Sequence, residues 1–197
     1  EQPAHGFART LPWRLIDRCD GIQGTVLCFE LTDTPFTRAL WPHAFAIQLR
    51  MELGEHCQQA LSVDCAAAST GALHSYFQVG DIERVAVTGL GSHYQDALIG
   101  LQPCTAVNPL TINSPVDRIY TRPEPTSVIQ DTVLQRALRI NHQHHSDVVV
   151  WNPWQQGATA LADMENGDYR RMLCIETAAI ARPITDSLVL KITANPL

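Results

Sequence analysis

The chain has a single lysine, Lys191, and little positive charge of any kind. Lysine and arginine together number 14 against 20 aspartates and glutamates, which gives a formal net charge of −6. A protein that binds nucleic acid usually carries a basic face, so the composition argues against that class of partner. The positive charge is almost all arginine, whose planar guanidinium suits bidentate recognition of anions, although a compositional bias of the source genome explains the same imbalance.

Long apolar runs are also missing. No stretch approaches the roughly 20 apolar residues that a membrane-spanning helix needs, and the first residues do not follow the basic-then-apolar order of a signal peptide. We therefore expect no membrane partner and a cytoplasmic location.

The six cysteines form no CxxC pair and no regular framework. Cys28 and Cys174 lie inside strand-like apolar runs. This distribution predicts buried free thiols in a reducing compartment rather than disulfides.

Helical signals are few, whereas short runs with period-two alternation recur between Gly, Pro, Asn and Asp. One short helix is predicted at 36–40, after Thr34 and Pro35. The 197 residues, 45% of them hydrophobic, suffice for one domain with a sizeable core, and no repeat or linker suggests a second. The sequence therefore predicts an all-β fold, an antiparallel β-sandwich. Its predicted strands are 13–17, 24–31, 44–53, 59–68, 71–78, 84–88, 127–131, 135–140, 147–151, 172–177 and 186–193.

Glu176 lies in the middle of the apolar run 171–180. A lone carboxylate there either finds polar partners or has its pKa raised, and a raised pKa is what a general base near neutral pH needs. Two interpretations stay open from the residues alone: a carboxylate satisfied by an arginine, or the base. His74 lies in a second apolar run and is either a core histidine or an acid that could work with Glu176.

Five blocks of the sequence occur in an order that resembles the glucose-6-phosphate 1-epimerase family, within the aldose 1-epimerase superfamily. They are residues 5–9 (HGFAR), 72–82 (ALHSYFQVGDI), 117–120 (DRIY), 149–154 (VVWNPW) and 174–178 (CIETA). The resemblance covers nearly the whole chain, from about residue 1 to about residue 190. It implies a galactose-mutarotase-like sandwich with a sugar site in a cleft on a concave sheet face.

The resemblance also implies roles for individual residues. Glu176 corresponds to the family's catalytic base, and His74 to the acid that protonates the ring oxygen. Asp117 and His5 would bind sugar hydroxyls, and Arg9 the phosphate. From the residues alone, Asp117 is equally well a turn carboxylate after residues 113–115, and His5 and Arg9 are ordinary surface residues.

Asn152 is a further candidate for substrate binding, with Trp151 as an apolar platform for the sugar ring, and core packing is its alternative. The cluster at 142–145, with three histidines, invites a metal interpretation, but its spacing matches no zinc motif. We expect it to be solvent-exposed, with no metal and no cofactor in the protein.

Family members carry an additional N-terminal portion before the segment that corresponds to residues 5–9. The 197 residues are therefore expected to be the C-terminal two-thirds of a family domain, lacking its N-terminal strands. Such a piece would expose an open strand edge and an apolar face. The full-length protein is expected to be a monomer.

The resemblance predicts an isomerase that interconverts the α and β anomers of glucose 6-phosphate or a related hexose 6-phosphate. Two alternatives remain. One is a mutarotase of unphosphorylated aldoses, which would lack the anion site, and the other is a non-catalytic carbohydrate-binding β-sandwich.

Overall fold

The computed structural model describes residues 3–197. Fifteen strands and two short α-helices make up most of the chain. In chain order the strands are β1 (Arg14–Gly21), β2 (Gly24–Thr32), β3 (Phe45–Gly54), β4 (Cys57–Cys65), β5 (Gly71–Gln78), β6 (Val85–Thr88), β7 (His93–Asp96), β8 (Gln102–Thr105), β9 (Leu110–Thr111), β10 (Val116–Tyr120), β11 (Thr126–Asp131), β12 (Arg136–Gln143), β13 (Asp147–Asn152), β14 (Met172–Ala179) and β15 (Leu188–Pro196).

The strands form two antiparallel sheets. The larger sheet has nine strands in the order β1-β2-β3-β4-β15-β12-β11-β6-β9, and the smaller has six in the order β5-β14-β13-β10-β7-β8. The core lies between them and includes Ile140 and Leu190 from the larger sheet and Leu173 and Ile175 from the smaller, all fully buried. The prediction of an all-β antiparallel sandwich is confirmed.

The helices are short. The first, α1 (Pro35–Leu40), begins with a capping box in which the Thr34 hydroxyl accepts from the Thr37 amide and the Thr37 hydroxyl accepts from the Thr34 amide. This confirms the predicted helix. The second, α2 (Trp154–Ala158), follows β13 directly, and 3₁₀ turns lie at Ala8–Thr10, Ile82–Arg84, Ala97–Ile99 and Asp168–Arg171. Within residues 3–197, no helix is long and apolar enough to cross a bilayer.

The larger sheet extends beyond the smaller one. β5 is the last strand of the smaller sheet, whereas β4, β3, β2 and β1 continue the larger sheet past it. Every residue of β1 is exposed, including Leu15 and Ile16. A cleft of about 490 Å³ runs along the free edge of β5 and is bordered on the other side by residues of β4, β12 and β15. The β1 end of the larger sheet thus presents apolar side chains to solvent.

The cysteines are all free, as the sequence predicts. Only Cys174 is buried, however, while Cys19 is exposed and the other four are half-buried. The prediction that they are buried is wrong for Cys19 because β1, which contains it, has no layer packed over it among the described residues.

Candidate active site

Glu176 and His74 lie side by side on the two neighbouring strands β14 and β5. The antiparallel register places them directly opposite each other. Glu176 Oε1 lies 3.2 Å from His74 Nε2, and their side chains are 11% and 39% exposed. A carboxylate and an imidazole therefore meet at a point that solvent and a small ligand can reach.

The alternation of β14 explains why a carboxylate lies in so apolar a strand. Leu173 and Ile175 point into the core between the sheets. Glu176 occupies the alternate position, on the outer face of the smaller sheet, because successive strand side chains point to opposite faces. The core residues hold the strand in place, and Glu176, although on the outer face, is largely covered by its neighbours, with 11% of its side chain exposed.

Burial raises the pKa of Glu176 to about 7, and the nearby carboxylate of Asp117 adds to the shift. Asp117 is itself half-buried in β10, two strands away, and burial together with the Asp96 carboxylate raises its pKa. Two carboxylates with raised pKa values therefore share the outer face of one sheet, an arrangement typical of acid and base sites.

Burial lowers the pKa of the His74 imidazole, and the positive charges of His5 and Arg9 act in the same direction. The contact with Glu176 opposes the shifts of both groups, because each charged form stabilises the other. Near neutral pH the two side chains are thus poised to share one proton.

The N-terminal segment reaches this site from far away in the sequence. Trp13 Nε1 donates to the Ala8 carbonyl (2.9 Å), and the Phe7 ring packs on Phe45 with centroids 5.7 Å apart. These contacts hold the segment so that the charge of His5 acts on both His74 and Asp117 and the charge of Arg9 acts on His74. The structure thus places His74 and Glu176 in contact, has Asp117 on the same face of the sheet, and brings His5 and Arg9 near enough for their charges to act on His74.

Asn152 differs from the other candidates because its side chain is fully buried. Its Nδ2 donates to the carbonyls of Tyr169 and Met172, both at 2.8 Å, and its Oδ1 accepts from the Trp154 amide at 2.9 Å. These bonds connect the end of β13 to the chain just before β14. The structure therefore supports the core-packing alternative, and we leave Asn152 out of the substrate site.

The histidine cluster is not uniformly solvent-exposed. His142 is buried, with Nδ1 2.7 Å from the Thr177 hydroxyl and Nε2 3.0 Å from the Ser127 hydroxyl. Burial, with the neighbouring His145 second, lowers its pKa to about 3. The prediction of exposure is wrong for His142 because it alternates into the core and links the two sheets. Among residues 3–197, no group of His, Cys, Asp or Glu is arranged to hold a metal ion.

Tyr76, Trp151 and Cys174 lie next to the Glu176–His74 pair. Of these three, only Trp151 was predicted from the sequence to contact the substrate. Tyr76 stacks on His74, and the Trp151 ring lies 6.4 Å from His74 and 6.3 Å from Tyr76, centroid to centroid. Cys174, between Tyr76 and Trp151 in the sheet register, is fully buried. Tyr76 and Cys174 could have been found from the sequence, because each lies two residues from His74 or Glu176 in a predicted strand and therefore on the same face of the sheet.

Proton transfer at both O1 and the ring oxygen predicts that Glu176 and His74 lie about one sugar ring apart, whereas the structure has them in contact at 3.2 Å. Directly opposite residues of antiparallel strands have Cβ atoms only about 5 Å apart, so two extended side chains can touch across the gap. The two groups nevertheless face the same side of the sheet. A substrate would meet both from the open outer face.

Comparison with known proteins adds to this geometry. Residues 1–191 match the family described as Aldose 1-epimerase. A protein of Escherichia coli K12 named "Putative glucose-6-phosphate 1-epimerase" is 38% identical over 89% of the chain and 60% of its own length. A protein of Salmonella typhimurium with the same name is 38% identical over 92% of the chain and 62% of its own length.

Among solved structures, the chain is similar to one described as a "putative mutarotase" from Salmonella typhimurium. The TM-score is 0.93 at 35% identity, over 99% of the chain and 68% of the other. The chain thus spans about 60% of the length of the curated relatives that it matches.

Proposed function

Because the chain belongs to the aldose 1-epimerase family, we propose that it interconverts the α and β anomers of a hexose 6-phosphate, such as glucose 6-phosphate. The observation on which this proposal depends is the contact of Glu176 with His74, a carboxylate with a raised pKa beside an imidazole. Anomer exchange needs one base and one acid that act together, and this pair supplies both.

Ring opening is a pair of proton transfers. Glu176 removes the proton from the O1 hydroxyl while His74 donates a proton to the ring oxygen. The bond between C1 and the ring oxygen breaks, and the O1 electrons form the C1 carbonyl. Rotation about the C1–C2 bond turns the aldehyde, and the two groups reverse roles on closure. No electrons are gained or lost, so the residues named are chemically sufficient.

Three other side chains would bind the substrate. Asp117 and His5 are close enough for their charges to interact, and each would hydrogen-bond a sugar hydroxyl. Arg9 would bind the phosphate, since its planar guanidinium donates two parallel hydrogen bonds to a phosphate dianion. Holding the sugar at several points keeps O1 and the ring oxygen in line with the base and the acid.

Arg9 also favours a phosphorylated substrate over a plain aldose. No hydrogen bond or ion pair is described for its side chain within residues 3–197, and its charge acts on His74 and Tyr76. The curated relatives bear the name of a glucose-6-phosphate enzyme, which agrees with this choice. We further propose a cytoplasmic location, where six free cysteines remain reduced.

A coupled assay tests the proposal. A β-specific dehydrogenase oxidises freshly dissolved α-glucose 6-phosphate only after conversion to the β anomer, so the rate of NAD(P)H formation reports anomer exchange. We expect the rate of anomer exchange to rise in proportion to the protein concentration, which shortens the lag before NAD(P)H formation. If neither glucose 6-phosphate nor any other hexose phosphate exchanges faster with the protein than without it, the proposal is wrong.

The pH dependence of kcat/KM should be bell-shaped, because the active form holds one proton between Glu176 and His74. Asp117→Asn removes a negative charge near the pair, and this lowers the pKa of each group. We expect both limbs of the kcat/KM profile to move to lower pH. The affinity for the sugar phosphate should also fall. Asp186→Asn, which changes an exposed carboxylate 3.8 Å from His144, should leave the profile in place. An unmoved bell in Asp117→Asn would show that Asp117 does not act on the pair.

Arg9→Ala should raise KM for glucose 6-phosphate at least tenfold and change kcat little, because a phosphate contact is made equally in the ground and transition states. Anomer exchange of unphosphorylated glucose, followed by polarimetry, should be unaffected. Arg18→Ala, which removes an exposed arginine paired with Asp20 at 2.9 Å, is the matched control. Equal damage to both sugars would assign Arg9 a structural role instead.

A further inference from the structure

Tyr76 is a large aromatic residue that the fold leaves mostly in solvent. It lies two residues after His74 on β5, so both side chains share the outer face of the smaller sheet. Tyr76 is 63% exposed. Its ring nevertheless stacks on the imidazole, with centroids 4.8 Å apart and planes inclined by 28°. The contact with His74, rather than the exposure itself, sets Tyr76 apart from the other exposed apolar residues of the chain.

Three side chains lie around the imidazole of His74: Tyr76, Glu176 and Trp151. Glu176 Oε1 lies 3.2 Å from Nε2, and the Trp151 ring stands at 65° to the imidazole, with the centroids 6.4 Å apart. Tyr76 meets the same Trp151 ring nearly at right angles, at 86°. The Glu176 carboxylate thus contacts the edge of the imidazole, and Tyr76 covers one of its faces. Trp151 lies edge-on to both rings.

We propose that Tyr76 is a positioning residue for His74: its ring covers one face of the imidazole, keeps Nε2 directed at Glu176 and stabilises the imidazolium by a cation–π contact. This inference rests on the proposed function, in which His74 holds the proton that passes to the ring oxygen. It adds a residue that touches neither O1 nor the ring oxygen but acts through the acid.

The charges around His74 explain why such support matters. Glu176, on β14, favours the imidazolium, whereas His5 and Arg9, on the N-terminal segment, disfavour it. Burial also disfavours it. The π face of Tyr76 adds a favourable interaction on the side that the carboxylate does not reach, and it does so without adding a charge that would repel a phosphorylated substrate.

An NMR titration of the His74 ring C–H tests the contact directly, with the resonance assigned from its loss in His74→Asn. Tyr76→Phe keeps the aromatic face and should retain the apparent pKa of His74 and the kcat of the original protein. Tyr76→Leu removes that face, so we expect the apparent pKa to fall by about half a unit. We expect kcat to fall about tenfold, with little change in KM, because the acid is less often charged and less well aligned.

Phe36→Leu is the matched control, since Phe36 is an aromatic residue of α1 that is 61% exposed. It should change neither the His74 titration nor kcat. Thermal unfolding of all variants shows whether each is folded. An unchanged His74 pKa in Tyr76→Leu would overturn the proposal, as would a loss in Tyr76→Phe as large as in Tyr76→Leu. The titration needs no turnover, so an absence of epimerase activity would count against the proposed function alone.

Discussion

Replacement of Glu176 by glutamine is expected to lower kcat by a factor on the order of 10² to 10⁴. Glutamine keeps the size and shape of the side chain and can still contact His74 across the strand register. It cannot take the proton from O1, because an amide is not a base near neutral pH. The neutral amide also suits a buried position at least as well as a carboxylate, so the fold should be retained.

The coupled anomer assay measures this effect, and thermal unfolding confirms that the variant is folded. Glu83→Gln provides the control, since that carboxylate is half-exposed and pairs with Arg170 at 3.3 Å rather than with a residue of the site. It should leave kcat unchanged. Activity close to that of the original protein in Glu176→Gln would place the base elsewhere on the chain.

Replacement of His74 by asparagine should lower kcat by a factor on the order of 10² to 10³. Asparagine can still donate a hydrogen bond to Glu176, but it cannot carry and release a proton near neutral pH. The side chain of His74 is 39% exposed, so its loss leaves no large cavity. His144→Asn, at an exposed histidine near Asp186, should have no effect in the same assay.

The two substitutions together should cost little more than the more damaging of the two alone. Acid and base act in one step, so once either is missing the other has no concerted transfer to assist. Fully multiplicative losses in the double variant Glu176→Gln/His74→Asn would instead indicate that the two residues act independently, and the paired mechanism would then be wrong.

Much of the fold could be predicted from local patterns. Sequence patterns identified eleven of the fifteen strands, and the Thr34 capping position identified α1. The strands that sequence reasoning missed, β7, β8, β9 and β10, have two to five residues each. Of the strands with five residues or fewer, only β6, with two valines and a threonine, was predicted. The others hold too little periodicity to be separated from loops, and a turn was therefore an equally good interpretation of Asp117, which lies within β10.

Asn152 and His142 are two residues whose environment could not be predicted from the local sequence. Both are polar residues at strand positions, and neither composition nor spacing reveals which face of the strand each occupies. The structure turns both inward, where every polar atom that they offer finds a partner. Apart from the Trp154 amide, these partners come from segments 15 to 35 residues away in the chain, so a window of sequence cannot show them.

The sequence by itself determined that the chain is an antiparallel β protein with a carboxylate in an apolar strand, because strand formation and side-chain alternation depend on residues close together in the chain. Only the tertiary structure decided that Glu176 meets His74, since a register shift of one residue would turn every side chain of a strand to the other face. It also decided that His5 and Arg9 act on the same imidazole. Sheet order and register are set by packing between distant segments, and that packing is a property of the whole folded chain.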